Sequence, residues 1–284
     1  YHKLRMMMDR IGSLSSRRTY NRTRISANNL PAEWIHTEME VGNRVMLYLH
    51  GGGYVFGSIT SHRELAFQLA QAARARALVV EYRLAPEHPH PAALEDAVSA
   101  YSWLLDHGTE ATQITVMGDS AGGGLTIALL QTLRDRHIPL PSCAVCLSPW
   151  TDLTSAGGTI QTNRNRDPLL TPEALHDWAA YYAGGMDLKS PSISPLYGDL
   201  SGLPPTLVQV GNDEILRDDS RRLTEWAQKA GSPFVLEVWP KVFHVWHFGF
   251  PIIPEARRAM QSIGRFVEQS MQTMGNQRGN QGSR

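Results

Sequence analysis

Apolar residues along the chain fall into short, nearly continuous runs separated by longer stretches with helical spacing. The runs Trp34–Glu40, Val45–His50, Ala77–Tyr82, Ile114–Met117, Ala144–Ser148, Thr206–Val210 and Phe234–Trp239 read as strands. Most are apolar at consecutive positions, as expected of strands covered on both faces of a parallel sheet. Between most of them lie amphipathic stretches predicted as helices: Arg63–Arg74, Ala92–Asp106, Ala121–Arg136, Asp219–Ala230 and Pro254–Gln272. Strand alternating with helix predicts an α/β fold with crossover connections. The rhythm breaks between Trp150 and about Leu203, where a Thr171-Pro172-Glu173 helix start stands among loop residues. This segment is predicted to sit above the sheet as a cap. Residues 1–33 read as irregular. Cap elements are therefore expected at about 1–33 and 152–200 of a single domain spanning 1–274, and the Gly/Asn/Gln-rich stretch 275–284 is expected to be disordered.

Composition narrows the function. At 284 residues, with 42% hydrophobic and 19% charged residues, the chain is neither disordered nor fibrous. Lys+Arg and Asp+Glu are 27 each, so the basic surplus of a nucleic-acid binder is absent and no nucleic-acid partner is expected. No apolar run approaches the ~20 residues of a membrane span. The start, Tyr1-His2-Lys3-Leu4-Arg5, is not followed by a signal-peptide apolar stretch, so a cytoplasmic location is expected. Cys143 and Cys146 have redox spacing, but on a strand residues three apart face opposite sides and cannot pair. The histidines form no zinc-binding pattern, so no metal is expected.

Gly118-Asp119-Ser120-Ala121-Gly122 lies between a strand and a helix, which is the context of a nucleophile elbow. The turn presents Ser120 at the carboxyl edge of the sheet and at a helix N-terminus, where a developing anion is favoured. His50-Gly51-Gly52-Gly53 follows the strand at Val45. Consecutive glycines expose backbone N–H groups, and acyl transfer needs such donors for its oxyanion. The amides of Gly52, Gly53 and Ala121 are the natural set. His50 reads as an orienter of this loop.

These residues give the chain a resemblance to the hormone-sensitive-lipase-like α/β-hydrolase carboxylesterases. Further motifs carry the resemblance in order: Glu81–Glu87, Pro91–Asp96, Ser148-Pro149-Trp150, Ser194-Pro195-Leu196 and Asp213–Asp218. The likeness implies an α/β-hydrolase fold with an eight-stranded, mostly parallel sheet flanked by helices, a helical cap from the N-terminus and an insertion, and hydrolysis of short acyl esters without a cofactor. A base and an acid must follow Ser120 in the chain. Asp213 follows the strand at Thr206 and matches the family's acid, with Glu214, Asp218 and Asp219 as rivals. His244, in the loop after the strand at Phe234, matches the family's base, with His247 as its rival. The expected triad is Ser120, Asp213 and His244. The aromatics Trp34, Tyr54 and Phe56 are expected to line a modest apolar pocket. The resemblance also allows a homodimer through Phe234–Trp239 and Pro254–Gln272. Two other functions remain open on this scaffold: an amidase or peptidase, and a non-catalytic small-molecule receptor.

Overall fold

The computed structural model describes residues 1–15, 21–250 and 252–281, with side chains for 1–13, 21–250 and 252–273. Eight strands form one sheet: β1 (Asn21–Ala27), β2 (Leu30–His36), β3 (Val45–Leu49), β4 (Arg76–Val80), β5 (Ile114–Asp119), β6 (Cys143–Leu147), β7 (Thr206–Gly211) and β8 (Phe234–Trp239). Their order is β1-β2-β4-β3-β5-β6-β7-β8, with the β1–β2 and β2–β4 pairs antiparallel and the other pairs parallel. The α-helices are α1 (His2–Ser15), α2 (Ile59–Ala73), α3 (Ala92–Asp106), α4 (Ala121–Asp135), α5 (Thr159–Thr162), α6 (Pro172–Ala183), α7 (Arg217–Lys229) and α8 (Pro254–Gln281).

The central strands are buried at every position, which is why their sequences run apolar without alternation. Their side chains still alternate between faces. Val45, Leu47, Leu49 and Val116 meet α3 and α4 on one face, whereas Met46, Tyr48 and Met117 meet α2 and α8 on the other. Each fully buried Leu or Val contributes roughly 1.5–3 kcal/mol. Cys143 and Cys146 are free thiols that fall in different clusters, on opposite faces of β6.

Three expectations for the ends need correction. Residues 1–33 are not irregular: they hold α1, β1 and the start of β2. β1, NRTRISA, is an exposed edge strand whose charges hide its pattern, as edge strands commonly do. Only α1 from this stretch joins the cap, and α8 continues as helix to Gln281, into the tail expected to be disordered. The insertion carries α5 and α6 and no strand, as the broken rhythm predicts. Among the described residues no helix is long and apolar enough to cross a membrane.

Candidate active site

The turn from β5 into α4 holds Ser120 at φ +51°, ψ −120°, a strained conformation worth about 1–3 kcal/mol. Crowding explains its neighbours. A Cβ on Gly118 would lie 2.2 Å from the Gly122 carbonyl oxygen, and one on Gly122 would lie 2.0 Å from that of Leu49. The turn is pinned by Ser120 N–H donating to Leu147 O at 2.8 Å and Trp150 N–H donating to Ser120 O at 2.9 Å.

Ser120 Oγ lies 2.9 Å from His244 Nε2, and His244 Nδ1 lies 2.9 Å from Glu214 Oε2. The structure thus brings Ser120 and His244 together but pairs the imidazole with Glu214. Asp213 points elsewhere: its side chain is 34% exposed and its nearest cation is Arg166, 3.9 Å away. Asn212 and Asp213 form a half-buried turn after β7, and the chain re-enters the core at Glu214, Ile215 and Leu216, all buried. Asn-Asp is a turn-forming pair. That composition, followed by a Glu leading an apolar pair, was the available signal for Glu214. Asp218 accepts from the Thr159 amide, and Asp219 is buried accepting from Thr151 and Asp152. His247 Nε2 donates to Gln209 Oε1, 2.8 Å away, and burial lowers the His247 pKa to about 3.

Glu214 is held on both oxygens. Oε1 accepts from the Gly211 amide at 2.5 Å and from the Ser148 hydroxyl at 2.7 Å, leaving Oε2 for the imidazole. Burial alone would lower the His244 pKa. The Glu214 hydrogen bond and charge, with the Asp167 and Asp119 carboxylates, outweigh it and raise the group above its ordinary value.

Asp119, the residue before Ser120 in the elbow motif, joins this turn to the glycine loop. Its Oδ1 accepts from the Gly51 amide at 2.9 Å and from the Tyr48 hydroxyl at 2.5 Å, and Oδ2 lies 3.5 Å from His62 Nε2. Burial would raise its pKa, but these partners hold it below the ordinary carboxylate value. Beyond Gly51, the amides of Gly52, Gly53 and Ala121 take no hydrogen-bond partner among the described residues. Gly52 and Gly53 line the same cavity as Ser120. A Cβ on Gly52, at φ +119°, would sit 2.1 Å from Phe56 O. His50 stacks on Tyr82 with ring centroids 4.2 Å apart, and burial lowers its pKa to about 3, which suits a loop support and not a base.

The cavity measures about 380 Å³. Its walls are Leu4, Met7 and Met8 of α1, Phe56, the cap residues Leu169, Leu170, Ala174 and Trp178, and Val245 and Phe248 beyond the histidine. Of the three aromatics expected there, Phe56 alone lines it. Tyr54 is buried and stacked on Tyr182, centroids 3.7 Å apart. Trp34 lies on β2 beneath the Arg76 guanidinium and beside Trp103. A more open groove of about 850 Å³ between α2 and α8 contains none of the site residues.

Two sets of contacts hold the walls. Arg5 of α1 donates to Val55 O at 2.7 Å and Ala85 O at 2.8 Å and pairs with Glu87, while Asp9 accepts from Ser58. In the insertion, Asn163 Nδ2 donates to the carbonyls of Asn212 (3.0 Å) and Glu214 (2.8 Å). Asp167 accepts from the amides of Leu169 and Leu170 on one oxygen and from Ile215 on the other. Among the described residues no group of three or more His, Cys, Asp or Glu side chains is arranged to hold a metal.

A hydroxyl, an imidazole and a buried carboxylate in series, beside unpartnered amides and an apolar cavity, suit acyl transfer. Comparison with known proteins agrees. Residues 46–248 match the family model described as alpha/beta hydrolase fold. An acetyl-hydrolase of Streptomyces hygroscopicus is 48% identical over 243 residues, 86% of this chain and 81% of that protein. A crystal structure of an esterase from the bacterial hormone-sensitive lipase family superposes with a TM-score of 0.91 at 45% identity, covering 94% of this chain and 90% of that one. The structure of EstE5 soaked by p-nitrophenyl butyrate gives 0.92 at 40% identity, covering 95% and 91%. The chain belongs to the α/β-hydrolase fold family and, within it, to the hormone-sensitive-lipase-like carboxylic ester hydrolases.

Proposed function

We propose that the protein is a serine carboxylesterase for short- to medium-chain acyl esters, working through an acyl-enzyme with Ser120, His244 and Glu214. The observation that carries this reading is the unbroken series Glu214–His244–Ser120, with both contacts at 2.9 Å and the serine opening into the apolar cavity.

Ser120 Oγ attacks the ester carbonyl carbon as His244 Nε2 takes its proton. Glu214 Oε2 keeps the Nδ1 proton in place, fixing the tautomer and stabilising the imidazolium. Negative charge gathers on the former carbonyl oxygen, where the amides of Gly52, Gly53 and Ala121 are available to donate. Collapse expels the alcohol, which receives its proton from Nε2. Water then enters, loses a proton to His244 and cleaves the acyl-enzyme, releasing the acid and restoring the serine.

The size of the cavity supports the acyl-length reading. At about 380 Å³ it sits near the small end of ligand pockets, which span about 300–1,000 Å³. Rates should fall for acyl chains beyond about eight carbons, the limit the family resemblance suggests. EstE5 was soaked by p-nitrophenyl butyrate, a compound within that range. The test is a p-nitrophenyl ester series with a matched anilide. Acetate and butyrate esters should turn over, the anilide far more slowly, and Ser120→Ala should be inactive and refractory to fluorophosphonate labelling. Absence of ester turnover, or turnover that survives Ser120→Ala, refutes the proposal.

A further inference from the structure

Ser148 follows β6 and faces the site without touching the cavity. It is fully buried, and its hydroxyl is used twice: it donates to Glu214 Oε1 at 2.7 Å and accepts the Val245 N–H at 3.1 Å. Its own amide donates to Gln209 O at 2.7 Å. Two backbone facts set this hydroxyl apart from an ordinary buried serine. Ser148 itself has φ +47°, where glycine would be at ease. Val245, the residue after His244, has φ +48°, which for a β-branched residue is a genuine outlier. Strain of this kind persists only where surrounding contacts over-determine it. The contact on the Val245 amide is the Ser148 hydroxyl.

We infer that Ser148 is a positioning residue of the ester hydrolysis: one hydroxyl sets the rotation of the Glu214 carboxylate and the backbone that aims His244. The inference rests on the reading of Glu214 as the acid. The geometry leaves little latitude. With the Ser148 hydrogen and the Gly211 amide both on Oε1, Oε2 is free to meet the imidazole. With Val245 N–H fixed on the same oxygen, the imidazole and the carboxylate are referenced to one atom. Without the hydroxyl, the carboxylate can rotate about its last bond and the strained turn at Val245 can relax.

Ser148→Gly isolates the hydroxyl, since glycine suits the backbone angle and removes only the side chain. A misplacement of about 1 Å can cost a hundredfold, so kcat should fall roughly ten- to hundredfold. KM for p-nitrophenyl butyrate should hold, because Ser148 does not line the cavity. The acid limb of the pH profile should move to lower pH, because the raised His244 value depends on its Glu214 bond. Circular dichroism checks the fold, and Ser148→Ala is read instead if the glycine variant is unfolded. Glu214→Gln is measured in parallel. A Ser148 variant with kcat within twofold of wild type, beside an inactive Glu214→Gln, overturns the inference. So does a loss of kcat with an unmoved limb or a proportionate rise in KM, which would mark a general disturbance. An active Glu214→Gln instead removes the underlying reading of the acid.

Discussion

Glu214→Gln against Asp213→Asn is the sharpest test of the site. The glutamine has nearly the same shape, so the perturbation is one of hydrogen-bond polarity. Two donors, the Gly211 amide and the Ser148 hydroxyl, already face Oε1. The glutamine carbonyl must take that side, which turns its NH₂ towards His244 Nδ1. A donor there forces the imidazole to carry its hydrogen on Nε2, the atom that must receive the Ser120 proton. An inverted tautomer of this kind drops kcat about 10⁴-fold in the serine proteases, and four decades at ~1.36 kcal/mol each come to about 5.4 kcal/mol of lost transition-state stabilisation. Asp213 is a third exposed and its Arg166 partner sits at the 3.9 Å limit of an ion pair. Such surface pairs are worth about 0–1 kcal/mol, so Asp213→Asn should stay within roughly threefold of wild type. The assay is steady-state hydrolysis of p-nitrophenyl butyrate above the His244 transition, with Tm and circular dichroism as controls. A near-normal Glu214→Gln beside an inactive Asp213→Asn would refute the reasoning outright.

Three further outcomes follow from the buried titratable groups. Since the His244 pKa is raised from 6.5, kcat/KM should fall on acidification with a midpoint above that value, and a midpoint below 6.5 would contradict the Glu214 pairing. Asp219, buried beside Asp152, has its pKa raised from 3.8 to about 8. The folded state therefore keeps a proton that the unfolded chain releases: this contribution to stability is complete below 3.8, wanes as pH rises and is gone above about 8. Asp219→Asn should flatten the decline of Tm with pH across that window, and an unchanged slope would count against it. His247→Ala should cost about 1–3 kcal/mol in urea unfolding by orphaning Gln209, yet leave kcat within about threefold. An inactive but stable variant would reopen the choice of base.

Much of this was readable beforehand, because chemistry that depends on backbone shape leaves marks in residue type. The elbow demands glycines at 118 and 122, and the loop at 51–53 demands them again, so Ser120 and its surroundings stand out in the text of the chain. His244 was reachable because a strand ends just before its loop. The carboxylate that meets His244 is Glu214, one position beyond the expected Asp213. Asp213 and Glu214 both follow β7, and which of two adjacent carboxylates turns inward depends on the turn at Asn212, which periodicity does not report. Trp34 and Tyr54 failed for a related reason: an aromatic near a motif can fill the core as readily as a cavity. α1 and β1 were hidden because neither shows the pattern of a buried element. One is a short basic helix with methionines, the other an edge strand rich in arginine.

The insertion does two jobs with one stretch of chain. Leu169 and Leu170 shape what fits above the serine, and a few residues earlier Asn163 and Asp167 grip the backbone that carries Glu214. The cavity wall above the serine and the support of the Glu214 loop thus share one stretch of chain. If Glu214 serves as proposed, a library randomised through 163–170 in search of new substrates would discard most of its members for loss of rate, whereas diversity introduced at Ala174 and Trp178 reshapes the same chamber from a helix that leaves the Glu214 loop alone. Grafting a foreign lid onto this sheet would succeed only if the graft brought its own brace for the loop after β7.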